Sequence, residues 1–328
     1  MTRSSVSPLA VWAGLIVLYL VWGSTYLGIR IAVETIPPFT MGGIRFLIAG
    51  VLLATAVAIR HRATIRRPSG RQLRDALIVA AFLLGGGMGL VAWGEQHSVP
   101  SGIAALLIGL MPMWIAVLSR VFLGERLPPM AAVGIGVGLV GVAILAWPTG
   151  GVGDLPPASL AALVVSPICW STGTIYAARR ADLPSPALFS TGLQMTFGGL
   201  VLLALGALTG ELATFDPAAV STRSLAGLLY LITVGSLVGY TTYQWLLTVA
   251  PLPRISTYAY VNPVVAVVLG SIIAGEPLGA REIVAAIVIV AAVVLIVSAR
   301  GRSSQQAPRT VSPVVPRVEA LVEVSPGG

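Results

Sequence analysis

The sequence predicts an all-α integral membrane protein: ten transmembrane helices arranged as two inverted five-helix repeats around a central cavity. Three observations carry this. The chain has 328 residues, 56% hydrophobic and only 10% charged, with a mean hydropathy of +0.92. An ordinary soluble domain is about 25% charged, so this much apolar surface calls for lipid as the solvent. Ten runs approach the roughly 20 apolar residues that a bilayer crossing needs. Finally, a proline-broken apolar stretch, residues 99–127, returns 151 positions later without a gap. Pro100 falls on Pro251, Pro112 on Pro263, and Gly124-Glu125 on Gly275-Glu276.

In order, the spans are 9–29, 39–59, 75–94, 101–121, 129–147, 158–178, 186–208, 225–248, 254–273 and 279–299. The first has no small-residue cleavage site after it, so it reads as a retained span and not a signal peptide. Pro37-Pro38, Pro128-Pro129 and Pro186 open helices, a place where the missing N–H costs nothing. Residues 9–147 form the first repeat and 158–299 the second. Residues 300–328, rich in Ser, Pro and Gln, read as a disordered cytoplasmic tail.

Arginine placement sets the orientation. With both termini inside, sixteen arginines fall on the inner side, six of them between Arg60 and Arg74. Only Arg30, Arg223 and Arg281 fall outside, and Arg45 lies within a span. This bias accounts for the +8 net charge without any nucleic-acid partner. Five spans per half is odd, so the second half enters from the opposite side, as inverted repeats do. Trp22 corresponds to Trp170 at an offset of 148, and Arg45 to the neighbourhood of Gln194.

No cofactor is expected. Cys169 is the single cysteine, His61 and His97 are the only histidines, and no metal-ligand spacing exists. The glycine run at 85–89 lies inside a span with no Lys-Ser/Thr after it, which excludes a nucleotide loop. A membrane-embedded enzyme would need paired carboxylates or a Ser/His/Asp set; the spans carry neither. Any energy therefore comes from gradients, not ATP.

Several short motifs together resemble one family. Trp22-Gly23-Ser24-Thr25, Arg45-Phe46, the run from Glu95 to Gly102 followed by Ala104-Ala105-Leu106-Leu107, Pro112, Gly124-Glu125-Arg126, Asn262-Pro263 and Gly275-Glu276-Pro277-Leu278 are similar to the drug/metabolite transporter superfamily, EamA type. The resemblance covers residues 10–299. It implies ten helices around a central cavity, alternating access, and export of amino acids or other small metabolites from a bacterium. Carriers of drugs, nucleotide-sugars or sugar-phosphates are the alternatives. The phosphorylated substrates would need several buried cations, and only Arg45 is available.

The residues themselves point to a lining. Pro112 and Pro263 each remove a helix hydrogen bond and are expected to break their spans. Asn262 and Tyr258 share a face at i, i+4, and Tyr240, Tyr243 and Gln244 at i, i+3, i+4. Polar groups in mid-span belong inside the bundle. Their first-half counterparts, Gly89, Ala92 and Trp93, are small or apolar, and Met111 stands where Asn262 does, so one side of the cavity is polar and the other apolar. Trp22, Thr25 and Tyr26 in the first span, with Trp170 in the sixth, complete the substrate-binding set. The plainer reading of all these is helix–helix bonding. Arg45 offers a fork for a carboxylate; the preferred reading is an ion pair with Glu34 or Glu95 as an outer gate. Glu125 and Glu276 are expected to cap the helix that follows each of them. Gly134, Gly136, Gly138 and Gly141 mark a packing face and a candidate homodimer face.

Overall fold

The computed structural model describes residues 6–63, 65–147, 155–276 and 279–306. Pro277 and Leu278 of the repeated exit, and tail residues 307–328, lie outside the described residues. Every described element is helical or a turn. The ten spans are α1 Pro8–Ala32, α2 Pro38–Arg60, α3 Gly70–Gln96, α4 Ser101–Leu123, α5 Pro129–Ala146, α6 Pro157–Arg179, α7 Ala187–Leu208, α8 Thr222–Val249, α9 Tyr258–Ala274 and α10 Ala280–Gln306. Among the described residues nine helices are long and apolar enough to cross a bilayer, and α9 is the shorter tenth. The last helix continues to Gln306, beyond the expected start of the tail at 300.

The neighbours reveal the symmetry. Helix α2 packs on α7, α4 on α9 and α5 on α10; α1 packs on α8 and α9, while α6 packs on α3 and α4. Swapping each helix for its equivalent in the other half returns the same pairs. The paired helices run antiparallel. A Cβ on Gly43 would meet Leu203 and one on Gly50 would meet Thr196; Gly192 faces Ala54 and Gly199 faces Leu47. Position numbers fall on one helix as they rise on the other. Each helix thus runs against its own equivalent, which is the meaning of an inverted repeat. Gly134, Gly138 and Gly141 pack against Ile296, Ala292 and Ile289 of α10 in the same way, while Gly136 faces open space. Three of the four glycines are therefore used within the chain.

Both repeated Gly-Glu exits have one cause. Gly124 and Gly275 adopt left-handed φ of 66° and 64°, which favours glycine. The next amide then turns back: Glu125 N–H donates to Ser119 O at 3.3 Å and Glu276 N–H to Gly270 O at 3.1 Å. The proline pair behaves less evenly. Helix α4 breaks at Leu110, two residues before Pro112, into Ser101–Gly109 and Met111–Leu123. Pro263, expected to break its span, lies inside an unbroken α9. The second-half break comes earlier, at Ser256-Thr257, after the short turn Leu252–Ile255. Thr257 Oγ1 donates to Arg254 O at 2.6 Å there, the local bonding that competes with a helix ladder. Matched π-helical segments, Ala81–Met88 in α3 and Leu231–Val238 in α8, lie at an offset of 150.

The carboxylates cap across the halves. Glu276 does not cap α10; its Oε1 and Oε2 accept from the Ser101 and Gly102 amides of α4 at 2.8 and 3.2 Å. Gly270 makes room, since a Cβ there would lie 2.3 Å from Glu276 Oε2. Among the described residues Glu125 caps no helix: the position equivalent to Gly102 is Pro253, which removes one of the two amides, and Glu125 pairs with Arg179. Glu211, from beyond α7, accepts from the Thr40 amide of α2 at 2.9 Å. Glu276→Gln loses one acceptor and the charge at the α4 N-terminus. It is expected to cost about 0.5–2 kcal/mol, read as a lower unfolding temperature in detergent. An unchanged melting curve would show the cap to be idle.

Candidate functional site

Spans α1, α8 and α9 converge on Trp22. Its ring lies 5.5 Å from Tyr240, 5.1 Å from Tyr243 and 5.1 Å from Tyr258, and Tyr243 is 6.1 Å from Tyr258. These are edge-to-face or tilted pairs in the distance range that favours aromatic attraction. Local structure explains each position. Tyr240 and Tyr243 share a face of the α-helical turn that follows the π segment. Gly239 gives the indole its place: a Cβ there would lie 2.5 Å from Trp22 Nε1. Tyr258 opens α9 directly after the break at 256–257.

The other predicted residues separate from this cluster. Thr25 is buried, but its hydroxyl donates to Trp22 O within its own helix at 2.6 Å. Tyr26 is half-buried against the main core. Asn262, 7% exposed, is satisfied by main chain: in the orientation that pairs its amide, the nitrogen donates to Tyr258 O and Tyr19 O, each at 3.3 Å. Gln244 Nε2 donates to Thr191 Oγ1 at 3.1 Å, tying α8 to α7. For these two the helix–helix reading holds. Trp93, Trp170 and Met111 do not join the rings. Trp93 stacks on His97 at 4.1 Å, Trp170 covers Gly87, and Met111 starts the second piece of α4, its carbonyl accepting from Ser171 Oγ at 3.3 Å.

The outer ion pair is corrected. Arg45 is 2% exposed, yet it pairs with neither Glu34 nor Glu95. Its Nε donates to Ser236 Oγ in the α8 π segment at 3.0 Å, and its guanidinium stacks on Phe46 at 4.5 Å. Glu34 lies nearer the surface and pairs with Arg223 at 3.5 Å. Glu95 is fully buried, and neither of its oxygens has a hydrogen-bond partner. Sequence depth placed these groups on one side of the membrane but not on facing sides of their helices. Ser236 and Gly239 were missed; the signal was small and polar residues interrupting the apolar run just before Tyr240. No group of three or more His, Cys, Asp or Glu residues that could hold a metal occurs among the described residues.

Ten helices in two opposed halves, with an aromatic cluster where the halves meet and buried unpaired charges beside it, define a two-repeat membrane transporter. The chain belongs to the EamA-like transporter family, whose model matches residues 10–147 and again 158–298. It is 36% identical over 310 residues to the uncharacterized inner membrane transporter YedA of Escherichia coli (strain K12), covering 94% of this chain and 96% of that one. It is also 30% identical over 269 residues to the probable terminal-alkyne amino-acid exporter of Streptantibioticus cattleyicolor, covering 81% of this chain and 86% of that one. A solved crystal structure shares the fold, with a TM-score of 0.58 at 21% identity, covering 92% of this chain and all of that chain (100%).

Proposed function

We propose that the protein exports amino acids or closely related small metabolites across the bacterial inner membrane by alternating access, with both termini cytoplasmic. The observation that carries this reading is Arg45. A buried guanidinium without a carboxylate partner is costly; here it bonds only a serine hydroxyl. It lies within electrostatic reach of Tyr240, at the edge of the Trp22 cluster. A substrate carboxylate would supply the missing partner through a bidentate fork, while the rings meet its apolar part. The rocking of two halves about their pseudo-axis would then present this site to each side in turn. The relative named a probable terminal-alkyne amino-acid exporter supports the substrate class.

The test is counterflow in proteoliposomes against a panel of L-amino acids and other small metabolites. Carboxylate-bearing compounds are expected to move. Arg45→Gln, which installs the residue that the second repeat holds at Gln194, is expected to slow them about tenfold or more, roughly 1.4 kcal/mol. Equal rates in the variant would remove Arg45 from the site. A panel on which nothing moves would sink the reading.

A further inference from the structure

We infer that Glu95 binds either the substrate's ammonium group or a proton, one at a time, so that the carrier exchanges protons for amino acids. This rests on the carrier reading above and extends it to the energy source. Helix α3 carries two buried carboxylates, and they are treated differently. Asp75, near one end, is fully supplied: Arg74 Nε and Nη2 donate to it at 3.0 and 2.9 Å, the Tyr176 hydroxyl at 2.9 Å and the Asp182 amide at 2.9 Å. Glu95, at the other end, is 0% exposed and receives nothing on either oxygen. A structural carboxylate in this protein is met by donors; this one is left open. An unpartnered charge away from water is unfavourable, and a bound cation removes the penalty.

The groups around Glu95 leave that vacancy to a mobile cation. On α1, Arg30 spends Nη1 on the Glu95 main-chain carbonyl at 3.0 Å and lies within electrostatic reach of the carboxylate without a hydrogen bond to it, and Tyr26 faces the carboxylate electrostatically. On α2, Arg45 lies within electrostatic reach but is turned to Ser236. Glu276, just after α9, lies within electrostatic reach of Glu95 as a like charge, while its oxygens cap α4. His97, on the following turn, stacks on Trp93. The facing end of α6 contributes the Ser159 hydroxyl, bonded to His97 O, and Leu163. Arg45, with no carboxylate partner, and Glu95, with no donor on either oxygen, thus lie within electrostatic reach of one another. Together they complement the carboxylate and the ammonium of a zwitterionic head group. A proton on Glu95 occupies the same oxygens and excludes the ammonium. Mutual exclusion at one carboxylate is what antiport requires: a proton enters as the amino acid leaves, and no bond other than the O–H is made or broken.

The test uses the full chain in proteoliposomes with a radiolabelled mixture of L-amino acids. In the wild type, an excess of unlabelled mixture is expected to compete with the label, and the same mixture N-acetylated is expected not to. An imposed pH gradient is expected to drive accumulation. Glu95→Gln is expected to lose gradient-driven accumulation, and Glu95→Asp, which keeps the carboxylate, to retain it. The N-acetyl comparison uses the wild type alone, so it decides even if a variant fails to fold. Transport in which N-acetylated compounds compete equally, or in which Glu95→Gln keeps gradient-driven accumulation, overturns the inference and leaves the carrier reading intact. A wild type that moves no amino acid overturns both.

Discussion

Gly50→Ala and Gly199→Ala are each expected to destabilise the protein by about 1–3 kcal/mol, although alanine is the better helix former. A Cβ on Gly50 would lie 2.3 Å from the Thr196 amide nitrogen and 2.7 Å from the Gly192 carbonyl oxygen. One on Gly199 would lie 2.4 Å from the Leu47 amide nitrogen. These are main-chain atoms and cannot rotate aside, so α2 and α7 must separate. Without a hydrophobic force between helices in lipid, such close approach is a chief source of their attraction. The double variant is expected to cost less than the sum, because the first methyl already parts the helices. Gly136→Ala is the control, since nothing lies within 4 Å of a Cβ there. Thermal unfolding followed by size-exclusion fluorescence reads all four. A Gly50→Ala protein as stable as wild type would mean that the crossing is looser than described.

Trp22→Ala is expected to abolish transport, and Trp22→Phe to keep part of it. The indole is in ring contact with three tyrosines from two helices of the opposite half. Each such pair is worth about 0.5–1.5 kcal/mol beyond its buried area, and deleting a large core ring costs about 3–5 kcal/mol. Trp22 is only half-buried, so the lower part of that range applies. The phenyl ring of Trp22→Phe retains an aromatic face but gives up the indole N–H that fits over Gly239. Counterflow normalised to folded protein separates the two effects. Undiminished transport by Trp22→Ala would place the substrate elsewhere.

Much of this was legible in the chain because lipid demands simple patterns. Among the described residues nine helices of spanning length appear where the apolar runs lie, with α9 shorter than its run, and the repeat offset announced two halves. The Tyr240–Tyr243 face followed from helical spacing, and it does meet Trp22 and Tyr258. What failed did so for geometric reasons. Depth along a span is readable from sequence, but rotation about its axis is not, so Arg45 was paired with glutamates it does not touch. The cap formed by Glu276 serves a helix 175 residues away, and no local rule anticipates that. Pro263 was expected to break its span, yet the break fell at Thr257, where a hydroxyl offered the main chain another partner. The glycines at 43 and 50 recur at 192 and 199, a repeat visible in the sequence whose meaning came only from the antiparallel crossing.

The exchange of caps and glycine faces between halves also bears on how the molecule is made. Synthesis proceeds from the N-terminus, so α2 enters the membrane roughly 150 residues before the helix that fits its glycines has been translated. At about 5–20 residues per second that interval is about 8–30 s. Over this period the Gly43–Gly50 face has no mate, the α2 amides at Phe39 and Thr40 await Glu211, and those of α4 at Ser101 and Gly102 await Glu276. Assembly is therefore late and collective: the first five helices are inserted as an unfinished surface, and the second five arrive as its complement.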